Sequence, residues 1–183
     1  LTFKDSIKVV IIRPGGIYGP RDQGMLPVFR MARKGYMMTP GGPEQIFNAC
    51  HVRDIVAGII RAGEADVPSG ETFLLGDKTN YPIRAMGRIF GESVGKRVRL
   101  LSPPAPLVYG AACLAEGLQQ VTRRPAIFSL QKVPELLAEN WGMDITKAQQ
   151  RLGYAPQVPL AEGAQETVRW YQSVGWLPRW SGE

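Results

Sequence analysis

Residues 14–24 read Pro-Gly-Gly-Ile-Tyr-Gly-Pro-Arg-Asp-Gln-Gly and follow directly on the run Lys8-Val9-Val10-Ile11-Ile12-Arg13. Glycine-rich backbone at the carboxyl end of a parallel strand is where α/β proteins bring main chain against a phosphate or a cofactor. The spacing is not the dinucleotide fingerprint: Gly15, Gly16 and Gly19 do not form Gly-x-Gly-x-x-Gly, Pro20 blocks immediate entry into a helix, and no acidic residue follows about 20 positions on. What the loop offers is Pro14 to end the strand, two small residues that permit close backbone approach, and the aromatic Tyr18 behind them. A tight turn with no ligand is the alternative reading. Cys50 and Cys113 belong to no Cys-x-x-Cys pair, and with His51 as the single histidine there is no zinc-ligand set. Both cysteines lie in apolar stretches and are expected as reduced core residues of a cytoplasmic protein. Asp54 is expected at the positive N-terminal end of a helix.

The elements that must position these residues follow from hydrophobic periodicity. The β-branched run at 8–13 predicts a parallel strand buried on both faces. Leu26, Val28, Phe29, Met31 and Ala32 predict a helix over 25–34, closed by Gly35. Short strands are expected at 36–38 and 45–52, a helix over 54–62, a strand at 71–75, a helix over 83–94 and a strand at 97–101. The Pro103-Pro104 pair opens an apolar helix whose uncharged run ends at Glu116, short of the ~20 residues that span a bilayer; it is expected as a buried helix or a substrate wall. Thr146-Lys147-Ala148-Gln149 has the form of a capping box, Gly153 ends that helix, and a last amphipathic helix is expected over 160–171.

The chain has 183 residues, 44% hydrophobic and 21% charged, so it carries enough apolar surface for one folded unit. The net charge of +6 suits anionic ligands. Nucleic acid is not an expected partner, because no stretch interleaves basic and aromatic residues and no named motif occurs. Arg123-Arg124 and Lys96-Arg97-Arg99 are expected as solvated faces. The chain opens Leu1-Thr2-Phe3 and runs straight into a strand, which reads as a piece of a longer protein.

Four segments carry a family resemblance. Ile12-Arg13-Pro14-Gly15-Gly16-Ile17-Tyr18-Gly19-Pro20-Arg21-Asp22, then Cys50-His51-Val52-Arg53-Asp54, then Asp144-Ile145-Thr146-Lys147-Ala148 with Leu152-Gly153-Tyr154-Ala155-Pro156, and finally Thr167-Val168-Arg169-Trp170-Tyr171 with Gly175-Trp176-Leu177, resemble in order the C-terminal half of the extended short-chain dehydrogenase/reductases, the NAD-dependent epimerase/dehydratase family. The resemblance implies an α/β fold. Residues 1–24 would be a late Rossmann strand with its cofactor and substrate loop, and 25–183 a mostly helical substrate-binding lobe. The N-terminal NAD(P)-binding part would be missing. The family's Gly-x-x-Gly-x-x-Gly turn and Tyr-x-x-x-Lys pair do not occur here, since none of the six tyrosines has a lysine four residues on. The fragment alone is therefore expected to be inactive and to hold no cofactor, while the complete protein would use NAD or NADP.

By the same resemblance, Pro14, Gly15, Gly16 and Ile17 would lie against the nicotinamide end of the cofactor. Tyr18, Arg21, Met25 and Phe47 would face a small-molecule substrate, with His51 in the pocket wall and without catalytic duty. Relatives that act on nucleotide-sugars place a phosphate-clamping arginine where this chain has Phe47. The departure points to the sterol dehydrogenase and dihydroflavonol reductase branch, which acts on apolar alcohols and ketones. A nucleotide-sugar epimerase or dehydratase is the alternative within the family, and a non-catalytic basic binding or oligomerisation module the alternative outside it. Self-association through the unpaired edge of the first strand is also expected.

Overall fold

The computed structural model describes residues 7–122 and 129–179, and of 118–122 the backbone alone. Arg123 and Arg124 thus lie outside the described residues. The fold is mixed α/β. Strand β1 (Ile11–Pro14) pairs in parallel with β6 (Thr72–Leu75), β2 (Gly16–Tyr18) with β5 (Ala49–His51), and β3 (Tyr36–Met38) with β8 (Arg99–Leu101). A three-stranded sheet has β4 (Ile46–Phe47) at its centre, antiparallel to β7 (Tyr81–Pro82) and parallel to β9 (Asn140–Trp141). The first strand is shorter than its apolar run and is not buried on both faces. Among the described residues only β6 pairs with it, and Ile11 stays exposed.

Helices fill the spaces between these pairs. The Asp22 carboxylate accepts from the backbone N–H of Gly24 and Met25 at 2.7 and 2.9 Å and so sets the entry to α1 (Leu26–Arg33). Arg30 and Arg33 lie in its negative last turn, and Gly35 leaves it at φ +84°. Helices α1, α3 (Ile83–Ser93) and α7 (Leu160–Ser173) share one core, built on Phe29, Met37, Met86, Phe90, Ala164 and Tyr171. A second core, on the other side of β5, joins α2 (Val52–Glu64), β6 and α6 (Thr146–Leu152) through Cys50, Ile55, Phe73, Leu75 and Leu152.

Three expectations need correction. The cap of α6 is not Thr146, which is its first helical residue; the Asp144 carboxylate two residues earlier accepts from the Thr146 N–H at 2.9 Å, and hydrogen bonding by Thr146, its hydroxyl first and its N–H second, holds the Asp144 pKa below the usual carboxylate range. The apolar helix α4 (Ala105–Thr122) is not buried: it packs through Val108 and Ala112 against Val133 at the start of α5 (Val133–Leu137), while Leu107 and Leu114 are exposed. Cys113 sits on its exposed side, so only Cys50 is a core cysteine. Among the described residues, no helix is long and apolar enough to cross a membrane.

Candidate functional site

The expected strand at 45–52 is two short strands, β4 and β5, separated by Asn48. Asn48 is buried and uses its whole amide. Its Nδ2 donates to the Asp77 carbonyl at 2.9 Å, the Thr79 carbonyl at 3.4 Å and Asn80 Oδ1 at 2.8 Å. Its Oδ1 accepts from the Asp77 N–H at 2.8 Å, and its own carbonyl accepts from the Gly16 N–H at 2.9 Å. The Gly15 N–H is used as well, by the Leu75 carbonyl at 2.9 Å. The turn after β1 and the loop after β6 are therefore locked together at the carboxyl ends of two parallel strands, the usual ligand-binding edge of an α/β sheet. Burial of Asp77 in this hub raises its pKa.

The glycines of the turn have a packing reason. A Cβ on Gly15 would come within 2.6 Å of Met143 Sδ, and one on Gly16 within 2.6 Å of the Phe47 ring and 3.1 Å of the Asn48 carbonyl. Pro14 and Ile17 are exposed beside them.

The Phe47 ring that covers Gly16 also lines a cavity of about 290 Å³. Met25, Met37, Met86 and Phe90 form much of its wall, with Trp141 and Leu136 on the β9 and α5 side. Methionine-lined walls adapt to irregular apolar shapes. The polar exceptions include Thr39, whose hydroxyl lies 2.7 Å from Ser102 Oγ, and Gln45, whose Nε2 donates to the carbonyls of Leu136 and Ala138.

Of the five residues expected to face a substrate, Met25 and Phe47 line this cavity, and Tyr18, Arg21 and His51 do not. Tyr18 is 1% exposed, its hydroxyl lies 3.5 Å from the Leu160 carbonyl, and burial raises its pKa far above neutrality. Its ring meets His51 edge to face, with centroids 5.4 Å apart. Arg21 is exposed, in a left-handed turn at φ +72°. His51 caps α2, because its Nδ1 accepts from the Arg53 N–H at 3.3 Å. That bond puts the ring proton on Nε2, which is buried without a hydrogen-bond partner, 4.0 Å from Glu166. Burial lowers the His51 pKa, an effect that nearby Glu166 opposes.

Asp54 does more than sit in the first turn of α2: its two carboxylate oxygens accept from the N–H groups of Gln157 and Val158, both at 3.0 Å. Asn48, Gln45 and Thr39 were not singled out from sequence. The one signal that could have drawn attention to Asn48 is a polar amide at the midpoint of an otherwise strand-like run. Among the described residues no group of His, Cys, Asp or Glu could hold a metal ion.

Known proteins bear on this geometry. No family profile matches the chain. It is 27% identical over 170 residues to a ceramide reductase of Caulobacter vibrioides, covering 93% of this chain and 53% of that protein. It is 29% identical over 179 residues to 3beta-hydroxysteroid-dehydrogenase/decarboxylase isoform 1 of Arabidopsis thaliana, covering 90% and 40%. The fold matches the crystal structure of UDP-glucuronic acid 4-epimerase from Bacillus cereus in complex with NAD, at TM-score 0.63 and 19% identity, covering 94% of this chain and 47% of that one. The chain spans about half the length of the curated relatives it matches. The resemblance to the extended short-chain dehydrogenase/reductases holds, in sequence with the steroid and sterol dehydrogenases and in fold with the NAD-dependent epimerases.

Proposed function

We propose that this chain forms the substrate-binding half of an NAD(P)-dependent oxidoreductase whose substrate is an apolar alcohol or ketone. The observation that carries this reading is Phe47, whose ring joins the turn at Gly16 to a methionine-lined cavity, at the position where the family resemblance implies a phosphate-clamping arginine in nucleotide-sugar relatives. Burying an aliphatic skeleton there is favourable by roughly 25 cal/mol per Å² of apolar surface removed from water. Among the described residues no basic side chain lines the cavity to neutralise a diphosphate.

The turn suits one end of the cofactor and not the other. Exposed Pro14 and Ile17 offer apolar contact to a flat nicotinamide ring, while the N–H groups of Gly15 and Gly16 are spent on Leu75 and Asn48 and have none to give to a ligand. NAD(P) would supply hydride chemistry at the substrate's carbinol carbon, with Pro14 and Ile17 of this chain against its nicotinamide end. This sequence supplies no Tyr-x-x-x-Lys pair to move the accompanying hydroxyl proton, and Tyr18 and His51 are buried away from the cavity. The role of these residues is to hold and desolvate the substrate. The chain alone is accordingly expected to turn nothing over and to bind NADH more weakly than low micromolar.

The test is a titration of the chain with 5α-androstan-3β-ol and with UDP-glucose, followed by Trp141 fluorescence and calorimetry. The steroid should bind and the UDP-sugar should not. Phe47→Arg should weaken the steroid at least about tenfold, because it puts a charge into an apolar wall. Binding of UDP-glucose with no response to the steroid would overturn the reading.

A further inference from the structure

Two side chains that line the cavity carry oxygens with no described donor: Glu135, which is exposed to water, and Gln45, which is buried. Gln45 is 9% exposed and lines the cavity, and its amide nitrogen is fixed by two carbonyls, Leu136 at 3.2 Å and Ala138, from the segment that joins α5 to β9. Both are pure acceptors, so the nitrogen must face them, and the amide cannot be flipped without setting oxygen against oxygen. Among the described residues nothing donates to Gln45 Oε1, and the oxygen stays open to water, since the one fully buried side-chain atom without a partner is His51 Nε2. The backbone at Gly41 makes room for this arrangement, since a Cβ there would come within 2.5 Å of Gln45 Nε2 and 3.0 Å of Oε1. A ligand that displaces water from this oxygen does best when it brings a donor, because an acceptor desolvated and left unpaired is costly.

We propose that Gln45 Oε1 is a specificity-determining acceptor, and that the substrate is an apolar molecule carrying a hydroxyl or amide N–H donor besides the group that reacts. This rests on the reading of the cavity as the substrate site. Gln45 precedes Phe47 by two residues along an extended segment, about 7 Å at the usual strand rise. The donor therefore belongs about that far beyond the part of the substrate that touches the Phe47 ring and the turn at Gly16. The other hydroxyl in the wall is already engaged: Thr39 Oγ1 lies 2.7 Å from Ser102 Oγ and 3.4 Å from the Leu101 carbonyl. Acceptor-only ligands of equal size would leave Gln45 Oε1 dry and unpaired.

Two isomers separate the donor from everything else, decan-1-ol and 1-methoxynonane, which have the same atoms and one oxygen each but differ in the O–H. Both are titrated into the 183-residue chain by Trp141 fluorescence and calorimetry. The alcohol should bind about three- to tenfold tighter, although an apolar wall alone would favour the ether. Gln45→Met should abolish the preference while the ether still binds, and Thr39→Val should leave it intact. Equal binding of the two isomers to the unmodified chain overturns the role of Gln45, as does a preference that survives in a folded Gln45→Met. If Gln45→Met fails to fold, Thr39→Val and Glu135→Leu decide: loss of the preference in either moves the acceptor to that residue and overturns the proposal, and retention in both supports it. Failure of both isomers to bind is a different result, which removes the apolar-cavity reading itself.

Discussion

One extended segment, residues 45–51, serves two regions built on opposite principles. Its odd positions, Gln45, Phe47 and Ala49, face the cavity and the core shared by α1, α3 and α7, where methionine and phenylalanine dominate. Its even positions, Asn48 and Cys50, face the β6 side, where Asn48 is bonded by named partners on every polar atom of its amide. A strand's period of two makes this division automatic. The difference teaches that geometry is fixed on one side so that shape can stay adaptable on the other. The hub holds the Gly15–Gly16 turn to within hydrogen-bond precision, and the soft wall fills around whatever the turn presents.

The contrast breaks first at Asn48. Asn48→Leu keeps the volume but strands the Asp77 N–H and the carbonyls and amide that Nδ2 now serves, so unfolding stability should fall by about 3 to 5 kcal/mol, read from the urea midpoint at unchanged slope. On the soft side the same kind of test should barely register. Met86 is buried in the cavity wall, and Met86→Leu should cost less than about 1.5 kcal/mol in the same titration. If the two variants lost equal stability, the division between a rigid and an adaptable face would be wrong.

The smallest effect sits where the segment ends, at His51. Its folded pKa is lowered below the ordinary 6.5, mainly by burial, so the neutral ring is the form the fold prefers. Stability from this group is complete above the unfolded pKa and is lost as pH falls toward the folded one. Thermal melts should show a shallow decline below about pH 6.5. His51→Asn, which keeps a capping acceptor for the Arg53 N–H, should flatten it.

Much of this fold was legible in the sequence, because most of its elements are short and strongly periodic. The helices α1, α3 and α7 and the strands β3, β6 and β8 start and stop within a few residues of their apolar patterns, at glycines and prolines that leave little choice. What was not legible depends on partners far along the chain. Asn48 takes its meaning from Asp77, 29 residues away, and to a pattern reader it is only a polar residue in a strand. Helix α4 has the composition of a buried helix, yet composition cannot say whether anything packs on Leu107 and Leu114. At the candidate site, Met25 and Phe47, which the family resemblance had pointed to, line the cavity. Tyr18 does not line it, because an aromatic after a glycine turn looks the same in sequence whether it faces a cavity or, as here, packs toward Leu160.

The burial of Cys50 has a consequence for how unfolding can be timed. Its sulfur lies 3.4 Å from the Tyr154 hydroxyl, which donates to the Gly76 carbonyl at 2.9 Å, and burial pushes the thiol up to about 11. A thiol so placed is almost wholly un-ionised at pH 8 and out of reach of a disulfide reagent. Cys113, on the open side of α4, has no such shelter. Dithionitrobenzoate should therefore label the native chain in two phases, the first prompt and the second at a rate set by the opening of the protein. With Cys113 replaced by serine, the remaining thiol becomes an internal clock for that opening, counting each excursion that uncovers the core.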